Sequence, residues 1–200
     1  MTARFRDNRF LQWLLLWLVG LWIVTAIEPF NRRDWLLENL LVFIYGGLLI
    51  ATYRRFQFSN LSYGLFGVFL SLHLIGAHYT YTETPVGVWL QVALDLERNH
   101  YDRIVHFSFG LLLAYPFREL LMRAAGVKRQ WSYLLVMVTV LGFSGFYEAL
   151  EGVVAVIVSP ELGAAYLWDA SSGALLRTYR HTTTGGVSDL AISADGSLLA

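Results

Sequence analysis

An all-α polytopic membrane protein with five transmembrane helices and a short β-like C-terminal tail is the architecture this sequence predicts. Composition is the first sign: 56% of the 200 residues are hydrophobic and only 15% are charged, whereas soluble domains carry about a quarter charged residues. Apolar runs of membrane-spanning length recur along the chain, and after residue 166 they give way to alternating apolar positions.

The first run, "FLQWLLLWLVGLWIVTAI" (10–27), contains no charged residue. At 1.5 Å per residue it reaches ~27 Å, close to a hydrocarbon core of ~30 Å. It lacks a small-residue cleavage site and further apolar runs come after it, so it reads as a retained span and not as a signal peptide. The remaining spans are expected at 36–53, with Glu38 near its end, 61–81, 103–122 and 131–158. Residues 1–166 then form the membrane domain, and 167–200 form a tail that is not an independent domain. The loop 82–99 carries Glu83, Asp95 and Glu97 and is expected over one mouth of the bundle, with an amphipathic stretch from Val86 to Leu96 along the interface.

Lys+Arg and Asp+Glu number 15 each, so no bulk electrostatic attraction draws nucleic acid, and membrane lipids are the expected partners. With no cysteine, disulfides, thiolate metal sites and cysteine nucleophiles are excluded. A cytoplasmic N-terminus places Arg4, Arg6, Arg9, Arg54, Arg55, Arg118, Arg123, Lys128 and Arg129 inside. Arg32, Arg33, Arg98, Arg103, Arg177 and Arg180 then lie outside, and the excess of inside cations selects that orientation. Trp35, Tyr53, Tyr79, Tyr81 and Trp131 near span ends fit interfacial aromatic belts.

Helical rise then sets the depth of each ionisable group. His78 lies ~26 Å beyond the inner start of the third span, and Glu148 and Glu151 lie ~26 to 30 Å along the fifth. Asp102 and His106 open the fourth span from the same outer face. Asp102 and His106 are i,i+4, and Glu148 and Glu151 are i,i+3, with Ser144 one turn earlier, so each set shares a helix face. Ionisable groups in spans are costly and normally face a bundle interior or a wet cavity. An outward-facing polar pocket is therefore expected, lined also by Arg98, His100, Arg103 and Tyr147.

The competing reading is a structural ion-pair network in which these carboxylates meet Arg98 or Arg103. His73, among Leu70 and Leu74, reads as an interhelical hydrogen-bonding residue and not a ligand. Arg118 and Glu119 read as snorkelling or locally paired, with a kink at Pro116. Two chemistries suit the pocket. His106, oriented by Asp102, would act as general acid or base with Glu148 and Glu151 as carboxylate partners. Alternatively His78, His106 and Glu148 would hold Zn²⁺ or Mn²⁺, although no metalloprotease-like spacing is present and the sequence requires no cofactor.

"GAHYTYTETP" (76–85), "RNHYDRIVHFSFG" (98–110), "RELLMR" (118–123) and "GFYEALEG" (145–152) together resemble the YjdF family of bacterial inner-membrane proteins, whose function is unassigned. The likeness covers about residues 1–167. More distantly, Asp102, Arg103 and His106 followed by Tyr147, Glu148 and Glu151 are similar to a pattern in VanZ-like membrane proteins, which implies relevance to the cell envelope and no particular reaction. The YjdF resemblance implies a polar segment and one more helix after "GAAYL" (163–167), of which Trp168 and Asp169 remain. Residues 167–200 instead resemble a single partial WD40 repeat, with strand-like alternation at Leu175, Val187, Leu190, Ile192, Leu198 and Leu199. One repeat cannot build a propeller, so a composite or truncated reading frame joined near Trp168 is the expectation.

The leading functional expectation is an envelope protein acting on a lipid-linked or amphipathic small molecule at the outer leaflet. A non-catalytic transporter, proton relay or structural membrane protein is the alternative from another class. A C-terminal protein-interaction module is the third.

Overall fold

The computed structural model describes residues 5–158, 164–168 and 175–180. After a 3₁₀ turn at Phe5–Asp7, helices run over Arg9–Ala26 (α1), Arg32–Thr52 (α2), Asn60–His78 (α3), Pro85–Ala93 (α4), Tyr101–Arg123 (α5) and Arg129–Val158 (α6). All of them except α4 are long and apolar enough to cross a membrane, which gives the five expected spans. The chain divides into two compact units, Met1–Ser144 and Gly145–Ala200, with the boundary inside α6.

Local chemistry sets where the helices start. Asn8 Oδ1 accepts from Leu11 N at 3.1 Å, Asn31 Oδ1 from Arg33 N at 2.9 Å, and Ser59 Oγ from Ser62 N at 3.2 Å. Each side chain satisfies a backbone donor that the first helical turn leaves open. Because Asn31 caps α2, that helix begins at Arg32, earlier than the expected residue 36. The third span ends at His78 and not at 81, because Thr80 and Tyr81 take φ of +52° and +58° and turn the chain. Pro85 at the first turn opens α4, where its fixed φ and missing N–H fit a helix start. The helix covers most of the stretch expected from Val86 to Leu96, ending at Ala93, and leaves Val88, Trp89 and Val92 exposed.

In the first unit α3 packs against α1, α2 and α5. Tyr63 and Phe66 of α3, Leu113 and Phe117 of α5 and Val136 of α6 form the core. Gly67 lets α1 approach, since a Cβ there would overlap the Leu14 side chain. In lipid, helices associate through such close packing and through interhelical hydrogen bonds. Trp22 Nε1 donates to Asn39 Oδ1 at 2.7 Å between α1 and α2, and Trp17 Nε1 donates to Ser71 Oγ at 3.0 Å between α1 and α3. The outer faces present Trp13, Leu16, Val24, Ile50 and Leu141, as helices in a hydrocarbon solvent require.

In the second unit, strands Ala164–Trp168 (β1) and Leu175–Arg180 (β2) pair antiparallel, from Ala164 opposite Arg180 to Trp168 opposite Leu175. An irregularity falls between Leu167 and Trp168. The strand-like alternation expected at Val187, Leu190, Ile192, Leu198 and Leu199 lies outside the described residues.

Candidate functional site

The end of the first unit where α3 finishes and α5 begins is built by two turns. Asn99 fixes the second: its Oδ1 accepts from Tyr101 N at 2.9 Å, and its Nδ2 donates to Thr82 O at 2.8 Å and Thr84 O at 3.3 Å. A Cβ on Gly87 would overlap the Asn99 amide, so this close seating of α4 requires glycine there. The α5 N-terminus is thus held against the 82–84 turn by one side chain.

Asp102 and His106 stand on this end of α5, one turn apart. His106 Nε2 lies 3.3 Å from Asp102 Oδ1. The Asp102 side chain is 58% exposed and that of His106 35%, so the pair sits at the rim and not in a sealed interior. Arg98 and Arg103 are exposed, and among the described residues neither forms an ion pair with Asp102. His100 occupies the cap position of α5 without capping it, and its buried Nδ1 has no hydrogen-bond partner among the described residues.

His78 has a packing role that its spacing did not indicate. Its Nδ1 donates to Thr25 O at 3.0 Å, and its own carbonyl accepts from Phe30 N at 3.0 Å. The ring is flanked by Tyr79 and Phe30. It staples the end of α3 to the end of α1, and the nitrogen used there is not available to a metal. Among the described residues no three His, Asp or Glu side chains converge to hold a metal ion. Ser144 closes the first unit, half-buried, while Tyr147 and Glu148 belong to the second, and the side chain of Glu151 lies outside the described residues.

Sequence reasoning missed a constellation around the buried His73, with Glu38 and Tyr81 half-buried beside it. His73 Nε2 donates to the Glu38 carbonyl at 3.2 Å and lies 3.9 Å from Glu38 Oε2. The other ring nitrogen, Nδ1, is 2.7 Å from Tyr81 OH, and that hydroxyl is 3.4 Å from Glu38 Oε2. With Nε2 carrying the proton given to the carbonyl, a neutral His73 accepts from Tyr81 at Nδ1. A hydroxyl has one proton to give, so His73 and Glu38 compete for it and the shorter distance favours His73. His73 is 6% exposed. The expected interhelical hydrogen-bonding role of His73 is what the geometry displays, with partners the sequence did not name.

Tyr81 reaches that position through the two left-handed residues. Non-glycine residues, and β-branched threonine above all, rarely adopt such φ values, and tandem use stores local strain. The turn closes with Tyr81 N donating to Gly76 O at 2.8 Å. The Tyr81 ring then lies over Gly76, where an added Cβ would be 2.5 Å from Cε1. Next to it Tyr101, 3% exposed, donates to Leu72 O at 3.0 Å. Its ring is 6.4 Å from that of Tyr81. Tyr101 immediately precedes Asp102, so the rim and this constellation adjoin. The available signals were Glu38, an acid within an apolar run, and the tyrosines of "YTYTE".

At the opposite end of the unit, Glu119 pairs locally with Arg123, as expected, but does more. Its carboxylate also accepts from Ser59 N at 2.9 Å and Ser59 Oγ at 2.9 Å, and from Ser62 Oγ. It therefore caps α3 from α5. Arg118 donates from Nε to Ser132 Oγ at 3.0 Å and lies over the Tyr133 ring, which joins α5 to the start of α6. Pro116 is buried inside α5, which continues past it to Arg123.

A family model described as "Predicted membrane protein (DUF2238)" matches residues 10–200. The inner membrane protein YjdF of Escherichia coli (strain K12) is 38% identical over 130 residues, or 64% of this chain and 62% of that protein. The chain thus spans less than two thirds of the length of that curated relative. No solved structure matches. The comparisons support neither the VanZ-like nor the WD40 likeness, and the family match continues through the tail.

Proposed function

The chain belongs to the DUF2238 family of membrane proteins, and on that premise we propose that it works in the inner membrane on a lipid-linked or other amphipathic envelope substrate. The inner-membrane location follows the relative named YjdF. A cytoplasmic N-terminus, chosen by the distribution of cations, would turn the entrance of α5 toward the outer leaflet.

The observation that supports it most is the Asp102–His106 pair at 3.3 Å. A carboxylate one turn away fixes the orientation of an imidazole, which general acid–base catalysis requires. Had the acid been held by Arg98 or Arg103, a structural ion pair would have been the simpler account. Instead those two exposed guanidiniums remain suited to the phosphate of a lipid-linked substrate.

The test compares lipid extracts from cells lacking the gene with those from cells expressing the wild type, Asp102→Asn or His106→Ala at equal membrane levels. Loss of an oriented general acid or base typically lowers rates by about 10²–10⁴, so both variants are expected to leave the accumulated lipid-linked species of the deletion strain in place. An identical lipid profile in wild-type and His106→Ala cells would sink the proposal.

A second reading is favoured by the Glu38–His73–Tyr81 chain, because buried acid–histidine series recur in proton relays. Purified protein in liposomes would then pass protons down an imposed pH gradient, and His73→Gln would stop the flux while His106→Ala would not.

A further inference from the structure

The opposite end of the first unit holds a feature that neither reading uses. A cleft of about 850 Å³ opens between the start of α1 and the connection from α2 to α3. Arg9, Arg55 and Arg123 enter its wall from three separate elements, and among the described residues Asp7 is the one acid there. Phe10, Phe56 and Phe58 supply an apolar portion.

The wall is held in place. Asn8 Nδ2 donates to Asn60 Oδ1 at 2.7 Å across the mouth. Phe56 and Phe58 pack edge to face, their centroids 4.8 Å apart. Arg123 lies over the Phe56 ring at 4.9 Å while paired with Glu119. Since Glu119 is 8% exposed and turned toward Ser59 and Ser62, it offsets Arg123 without lining the cleft. Among the described residues, Arg9 and Arg55 then line the cleft with Asp7 as the one acid.

Cations at one end of a membrane protein are expected from topology by themselves. The cleft differs in that its arginines converge from distant parts of the chain beside aromatic rings, while the neighbouring Arg54 stays outside the wall. Guanidinium groups bind phosphate oxygens in a bidentate fork. Basic pockets between spanning helices take anionic lipid headgroups, whose acyl chains remain in the bilayer beside the apolar wall. We infer that this cleft binds the phosphate of an anionic phospholipid headgroup, with Arg9 and Arg55 as its principal ligands.

Native mass spectrometry of the full chain in neutral detergent, titrated with phosphatidylglycerol or phosphatidylcholine, tests the assignment. Phosphatidylglycerol adducts are expected to persist where phosphatidylcholine adducts dissociate. Arg9→Gln/Arg55→Gln is expected to bind phosphatidylglycerol about thirtyfold more weakly, from roughly 1 kcal/mol per arginine, and Arg54→Gln within about twofold of wild type. Circular dichroism establishes that each variant is folded. If the double variant does not fold, Arg55→Gln alone carries the test with an expected loss of about fivefold.

Equal retention of the two lipids, or undiminished phosphatidylglycerol binding by the arginine variants, would overturn the inference. So would an equal loss in Arg54→Gln, which would reduce the effect to bulk charge. Displacement of the lipid by low-millimolar inorganic phosphate would overturn it in favour of a soluble anion.

Discussion

Tyr81 is where residue-level chemistry is most exposed to test. Its hydroxyl serves His73 Nδ1 and Glu38 Oε2, and its ring needs the bare face of Gly76. Tyr81→Phe leaves a buried imidazole nitrogen without its donor, at a cost of about 1–2 kcal/mol. Gly76→Ala forces the ring off its seat, at about 1–3 kcal/mol. Both are expected to lower the melting temperature in detergent, and wild-type melting of Gly76→Ala would refute this placement of the ring. The Asp102–His106 pair was legible in the sequence, because an i,i+4 spacing on a helix fixes proximity locally. For His78, depth along a span does not determine which neighbour its ring meets. That neighbour is the carbonyl of Thr25 at the end of α1.

At the scale of elements, boundaries follow caps more than hydropathy. Asn31 starts α2 ahead of the apolar run, and the left-handed pair Thr80–Tyr81 stops α3 before that run is exhausted. The N-terminus of α3 has two capping groups, one local and one distant. Ser59→Ala is expected to cost about 1 kcal/mol, and Glu119→Gln, which weakens several charge-assisted hydrogen bonds, about 2 kcal/mol. Because the side chains share a hydrogen bond, the double variant should lose less than the sum, by about 0.5–1 kcal/mol in a double-mutant cycle. Strict additivity would mean that α5 does not cap α3. From sequence alone Glu119 read as locally paired, which accounts for Arg123 and misses Ser59, sixty positions away.

For the whole molecule, sidedness governs what the site can meet. The chain has no cysteine, so single substitutions report accessibility without background. Glu97→Cys, between α4 and α5, is expected to react with a membrane-impermeant maleimide in spheroplasts, and Gln57→Cys, between α2 and α3, only after lysis. The reverse pattern would move the Asp102–His106 rim to the cytoplasm and rule out an outer-leaflet substrate. By itself the sequence determined the membrane class, the five spans and the pairing of Asp102 with His106, because hydrophobic length and helical period are local properties read along one chain segment. Only the tertiary structure decided that Glu38, His73 and Tyr81 meet, that Glu119 caps α3, and that Arg9 and Arg55 line one cleft. Those contacts join groups brought together by helix packing and by a strained turn, and neither leaves a periodic trace in the residues that form it.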